Sequence, residues 1–173
     1  MLFRSIQAGV ITDLKNAAAF PTDHPQHLGV PGHFLSPQAC AAIREADVIL
    51  MLDWVDPGGI FKQAFGDQPC HAKVIHVSLD VHSHRGWSMD MGSLPPADVY
   101  MLCEPDDAVT ALLSACRARA ATPWPARPLL TAMPQDDVVS IRSVSHALAQ
   151  CTQGQELCIA RLPLGWNGAY RDF

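Results

Sequence analysis

Three short apolar runs constrain this chain more than any other feature. Ala46-Asp-Val-Ile-Leu-Met-Leu52, Lys73-Val-Ile-His-Val-Ser-Leu79 and Asp98-Val-Tyr-Met-Leu-Cys103 begin about 25 residues apart. A continuous apolar run of this length is expected of a strand covered on both faces. The spacing leaves room for one crossover between consecutive strands, which is what parallel pairing demands. The pattern therefore predicts an α/β domain built on an open, doubly wound parallel sheet. A weaker strand, Gly9-Val-Ile-Thr12, precedes these and leads into the loop 16–32.

Helices are expected in the gaps. Ser36-Pro37 is a start signal, Ser as N-cap and Pro at the first helical position, for a helix over Gln38–Glu45. A short helix is expected near Ile60–Phe65, between Gly58-Gly59 and Gly66. Pro105-Asp106-Asp107 opens another through about Arg119, its carboxylates at the positive end of the helix dipole. Val109, Leu112, Leu113 and Cys116 form its predicted apolar stripe. The segment 122–135 carries Pro123, Pro125, Pro128 and Pro134, so it reads as a semi-rigid connector. Beyond it, Ile141, Val144 and Leu148 mark a helix ending at Gly154, and Leu157–Ala160 a strand.

Composition narrows the class. Of the 173 residues, 49% are hydrophobic and 17% charged, enough apolar matter to bury a core. The formal charge is −5 and the basic residues are scattered, which argues against a nucleic-acid footprint and a polybasic membrane face. No window approaches the roughly 20 apolar residues of a spanning helix. Asp13 and Lys15 interrupt any apolar stretch of a signal peptide. The six cysteines are far apart, form no Cys-x-x-Cys pair and mostly sit in apolar company, as reduced core thiols would. These features fit a cytoplasmic protein.

No complete catalytic constellation stands out. His76, His82 and His84, with Asp80 or Asp90, have the residue types of a zinc or iron site. No His-Glu-x-x-His or Cys/His framework backs a metal, and the favoured reading is one histidine facing a helix and two in the following loop. Asp56-Pro-Gly58-Gly59 lies where a helix N-terminus can hold a phosphate, but Asp53 and Asp56 would repel one. Asp53, Asp80 and Glu104 each end an apolar strand. Carboxylates there line the ligand crevice of an open α/β sheet, so Asp53 and Asp80 are the candidate nucleotide-contacting residues.

Four segments in order carry a family resemblance. The stretch from Thr12 through Phe20-Pro-Thr-Asp-His24-Pro to Gly29, then Ala46-Asp47 with its apolar strand, Lys73-Val-Ile-His76-Val-Ser-Leu-Asp80, and Pro96-Ala-Asp98 with Glu104–Leu113 together resemble the central domain of thiamine-diphosphate-dependent enzymes. The type is that of acetolactate synthase and benzoylformate decarboxylase. The resemblance spans about residues 9–120, and Ser140–Phe173 is similar to the lead-in of the next domain. It implies a Rossmann-like sheet of the FAD/NAD-binding type, here lacking its first strand and helix. Residues 1–121 would form that domain, 122–135 a Pro-rich linker, and 136–173 the start of the diphosphate-binding domain.

The resemblance further implies a parent lyase or transferase that decarboxylates or ligates 2-keto acids with thiamine diphosphate and Mg²⁺. The parent would work as a homo-oligomer. The family's activating glutamate and its Gly-Asp-Gly…Asn motif have no counterpart here, so this chain is expected to be inactive alone, its partners being other domains of the same enzyme. Trp54-Val55-Asp56 replaces the arginine-phenylalanine loop that meets FAD, which argues against flavin. Met1–Ser5 resembles no part of the family, and the chain is expected to be cut from a longer one at both ends. His24, on a polar loop after a strand, is the residue expected to reach a neighbouring domain. The alternative is a self-contained nucleotide-binding or interaction module using the crevice near Asp53 and Asp80.

Overall fold

A computed structural model describes residues 2–13, 20–21, 24–28, 35–54, 56–80, 97–121, 124 and 138–155. In chain order the elements are α1 (Leu2–Ile6), α2 (Pro37–Glu45), β1 (Val48–Leu52), α3 (Pro57–Phe65), β2 (Lys73–Val77), β3 (Val99–Met101), α4 (Pro105–Ala115) and α5 (Ile141–Cys151). The three apolar runs become the three strands of one parallel sheet in the order β1-β2-β3. The register sets Met51 opposite His76, and His76 opposite Tyr100.

Local chemistry starts and stops these elements, although α3 begins at Pro57 rather than near Ile60 and α5 ends at Cys151 rather than Gly154. The Ser36 hydroxyl accepts the Ala39 N–H at 3.1 Å and Pro37 occupies the first turn of α2. Asp56 does the same for α3, accepting the Gly59 N–H at 3.0 Å ahead of Pro57. α3 ends at Gly66, whose φ of 62° is the left-handed geometry that glycine adopts without a Cβ penalty. At the start of the sheet, the Asp98 carboxylate accepts the Val74 N–H at 2.9 Å and the Lys73 ammonium at 2.8 Å, while the Asp98 N–H donates to the Val74 carbonyl. The Lys73 bond, followed by the Val74 N–H, holds the Asp98 carboxyl below the usual carboxylate range. Asp47 plays the matching part for β1, its side chain accepting from Val48 and its carbonyl from Lys73. The two Ala-Asp dipeptides thus pin strand starts.

The core lies between the sheet and α3. Met51, Phe61 and Val74 are buried together, with Ile49, Trp54, Phe65, Cys70 and Ala97 packed around them. Phe61 and Phe65, one helical turn apart, stack at 5.9 Å between ring centroids. α2 lies against α3, tied by Gln63, whose side-chain oxygen accepts the Leu35 N–H, and by Arg44, which donates to the Ala64 carbonyl. The N-terminal segment is equally integrated. Leu2 is buried, the Gln26 amide donates to the Phe3 and Ala8 carbonyls, and the Arg119 N–H donates to the Ser5 carbonyl.

Several expectations are corrected. Coverage on both faces holds for β2, where Val74, His76 and Val77 are buried, but in β1 only Met51 is. β1 is an edge of the described sheet, and Val48 is 51% exposed. The Gly9–Thr12 strand reduces to one parallel bridge, Val10 with His27. α4 ends at Ala115 rather than near Arg119, because Cys116 turns to an extended backbone. Its buried residue is Ala108, while Leu113 and Cys116 from the predicted stripe are exposed. In α5, begun by reciprocal Ser140–Ser143 capping, the predicted apolar positions Val144 and Leu148 are exposed. The buried residue is His146, two positions from each and hence on the opposite side of the helix. The described cysteines are free thiols; Cys70 packs against the core cluster but none is fully buried, Cys40, Cys70 and Cys103 being half-buried and Cys116 and Cys151 exposed. Cys158, the connector apart from Trp124, and the strand 157–160 fall outside the described residues.

Candidate functional site

Parallel strands bring their C-terminal ends to one side of the sheet, where open α/β folds place ligands. Here that side is organised by a buried hydroxyl. Ser78, directly after β2, donates its Oγ–H to the Asp53 carboxylate at 2.7 Å. The same oxygen accepts the Asp80 N–H at 3.0 Å. The Ser78 N–H donates to the Met101 carbonyl, and the Asp53 N–H to the Val77 carbonyl. One serine therefore links the ends of all three strands and joins the two predicted carboxylate residues, Asp53 through its side chain and Asp80 through its backbone.

Asp53 has a φ of 49°, a left-handed conformation that aspartate tolerates better than most residues. That turn lets the chain leave β1 while its carboxylate reaches back to β2. Asp53 and Asp80 are both exposed. Nearby in sequence, the Asp56 carboxylate already takes an N–H of the α3 N-terminus. One of the donors that an anionic ligand would use at that helix end, the Gly59 N–H, is satisfied internally. Glu104 stands at the N-cap of α4 and makes no side-chain cap bond.

His76 is the fourth of the five residues of β2, the middle strand, and is 7% exposed. Its ring lies 5.6 Å from that of Tyr100, and neither ring nitrogen has a hydrogen-bond partner among the described residues. Burial lowers its pKa, the Asp53 carboxylate acting in the opposite sense. Its proposed companions His82 and His84, with Asp90, fall outside the described residues, and among those described no group of three or more His, Cys, Asp or Glu side chains is arranged to hold a metal ion.

His24 lies in a separate aromatic cluster. Its ring meets Phe3 and Phe20 edge-on, each at 5.4 Å, and its Nδ1 accepts the Gln26 N–H at 3.2 Å. Beside it His27 is 1% exposed, stacked on Phe20 and bonded through Nε2 to the Thr12 hydroxyl at 3.1 Å. Sequence reasoning missed Ser78 and His27. A serine directly after an apolar strand and two residues before a carboxylate was the available signal for the first. For the second there was none, since a loop histidine gives no sign of burial.

A family model described as "Thiamine pyrophosphate enzyme, central domain" matches residues 1–112. It begins at residue 1, so Met1–Ser5, expected to fall outside the resemblance, lies within the match. No curated protein and no solved structure gives a significant match.

Proposed function

We propose, from the premise that this chain belongs to the family of thiamine pyrophosphate enzyme central domains, that it is the structural middle of an enzyme acting on 2-keto acids. The reaction is decarboxylation or carboligation of the acetolactate synthase and benzoylformate decarboxylase kind. The family match over 112 residues carries this reading. In this reading residues 1–121 form the central unit, 122–135 a linker and 136–173 the approach to a diphosphate-binding domain. The enzyme is a cytoplasmic homo-oligomer. No described helix is long and apolar enough to cross a membrane.

Thiamine diphosphate supplies the electron sink for such chemistry when bound. The described strand ends do not fit it. The diphosphate would meet Asp53 and Asp56, like charges, at a helix end whose Gly59 N–H is already taken by Asp56. Mg²⁺ would need a cluster of oxygen ligands that the described residues lack. In this reading cofactor and catalytic groups belong to other domains of the enzyme, and this chain contributes scaffold and interdomain surface. His24, half-buried on its aromatic cluster, is the side chain proposed to meet a neighbouring domain.

The second reading, a nucleotide-binding module at Asp53 and Asp80, rests on the position of those residues at the strand ends. Thermal unfolding of the chain with FAD, ADP and NAD separates the two. The scaffold reading expects an unchanged melting temperature with each. A saturable rise with any of them favours the module.

A further inference from the structure

Independently of that function, the surroundings of His76 contain the parts of a pH-responsive latch. The ring is buried in the middle strand, with no hydrogen-bond partner among the described residues. The elements around it offer few charges. β1 leads to the Asp53 carboxylate, β3 presents the phenol-bearing ring of Tyr100, and α3 contributes Phe61 and Phe65 to the same face of the sheet. The one cation of α3, Lys62, is exposed and paired with Asp67. Asp53 is meanwhile held by Ser78, whose oxygen also fixes the Asp80 N–H.

We propose that protonation of His76 draws the Asp53 carboxylate away from Ser78, so that acid loosens the three-strand junction at the C-terminal end of the sheet. A second ring proton adds a charge and a donor to a site without an acceptor among the described residues, and the described anion bearing on that site is Asp53. A charge-assisted bond to imidazolium is stronger than the neutral one from the Ser78 hydroxyl. Once Asp53 shifts, Ser78 is free to turn and the Asp80 N–H loses its fixed acceptor.

The direction of the pH effect follows from burial. The unfolded chain takes up the proton at the ordinary histidine value, about 6.5, whereas the folded chain takes it up only at lower pH. Stability from neutral His76 is complete above that value and drains as pH falls below it. For this one proton, the unfolding constant rises by at most about tenfold per pH unit.

The test is amide exchange at Asp80 in the full chain between pH 7.5 and 5, corrected for intrinsic rates, with the His76 ring followed by NMR. Protection of the Asp80 N–H is expected to fall about tenfold or more in step with the ring titration. It should stay level in His76→Phe and in Asp53→Asn. His76→Gln, which keeps polar character without titrating, serves if the Phe variant does not fold. Constant protection in the wild-type chain overturns the latch, as does a parallel loss in the wild-type and His76 variants.

Discussion

Phe61→Ala is expected to destabilise the chain by about 3–5 kcal/mol, the largest effect of any single truncation in the core. Phe61 is 8% exposed and is the α3 residue buried in the core cluster with Met51 of β1 and Val74 of β2. Removing the ring leaves a void that a helix fixed at both ends cannot close. The Asp56 cap holds one end, and at the other the Gly66 N–H donates to the Lys62 carbonyl. The ring of Phe65 would also lose its stacking partner. Alanine's better helix propensity returns less than about 1 kcal/mol. Urea unfolding followed by far-UV circular dichroism measures the change. A loss below about 1 kcal/mol would show that α3 does not seal this face of the sheet.

Asp53→Val is expected to cost about 2–3 kcal/mol although the residue is exposed. Two terms of similar size add. A β-branched residue is strained at a φ of 49°, by about 1–2 kcal/mol, and the buried Ser78 hydroxyl loses its acceptor, about 1 kcal/mol more. Asp53→Gly separates them, because glycine accepts the backbone geometry and loses only the hydrogen bond. The glycine variant should therefore be about 1–2 kcal/mol more stable than the valine variant. Equal stabilities would mean that the left-handed turn after β1 carries no strain.

The strands and most helix starts were legible because they rest on local signals. Apolar runs bounded by Asp47, Lys73 and Asp98 became β1, β2 and β3, and Ser36-Pro37 and Pro105 began α2 and α4, whereas the Asp56 and Ser140 caps went unread and α3 starts three residues before the expected Ile60. What a helix buries depends on its neighbours, and there the sequence misled. Leu113, Val144 and Leu148 have the spacing of core residues yet are exposed, while Ala108 and His146 are buried. Asp53 and Asp80 were legible as strand-end carboxylates. Ser78 had a local signal in its place between strand and carboxylate, but its contact with Asp53 depends on the parallel register and on the left-handed turn at Asp53. Neither is written in a local pattern.

A scaffold domain of a 2-keto acid enzyme, as proposed for this chain, holds no catalytic centre of its own. Incubating the purified chain with thiamine diphosphate, Mg²⁺ and either pyruvate or benzoylformate, and following CO₂ release, tests it most directly. The predicted result is a rate indistinguishable from the protein-free blank. Turnover above that blank, abolished by omitting the cofactor, would contradict the account.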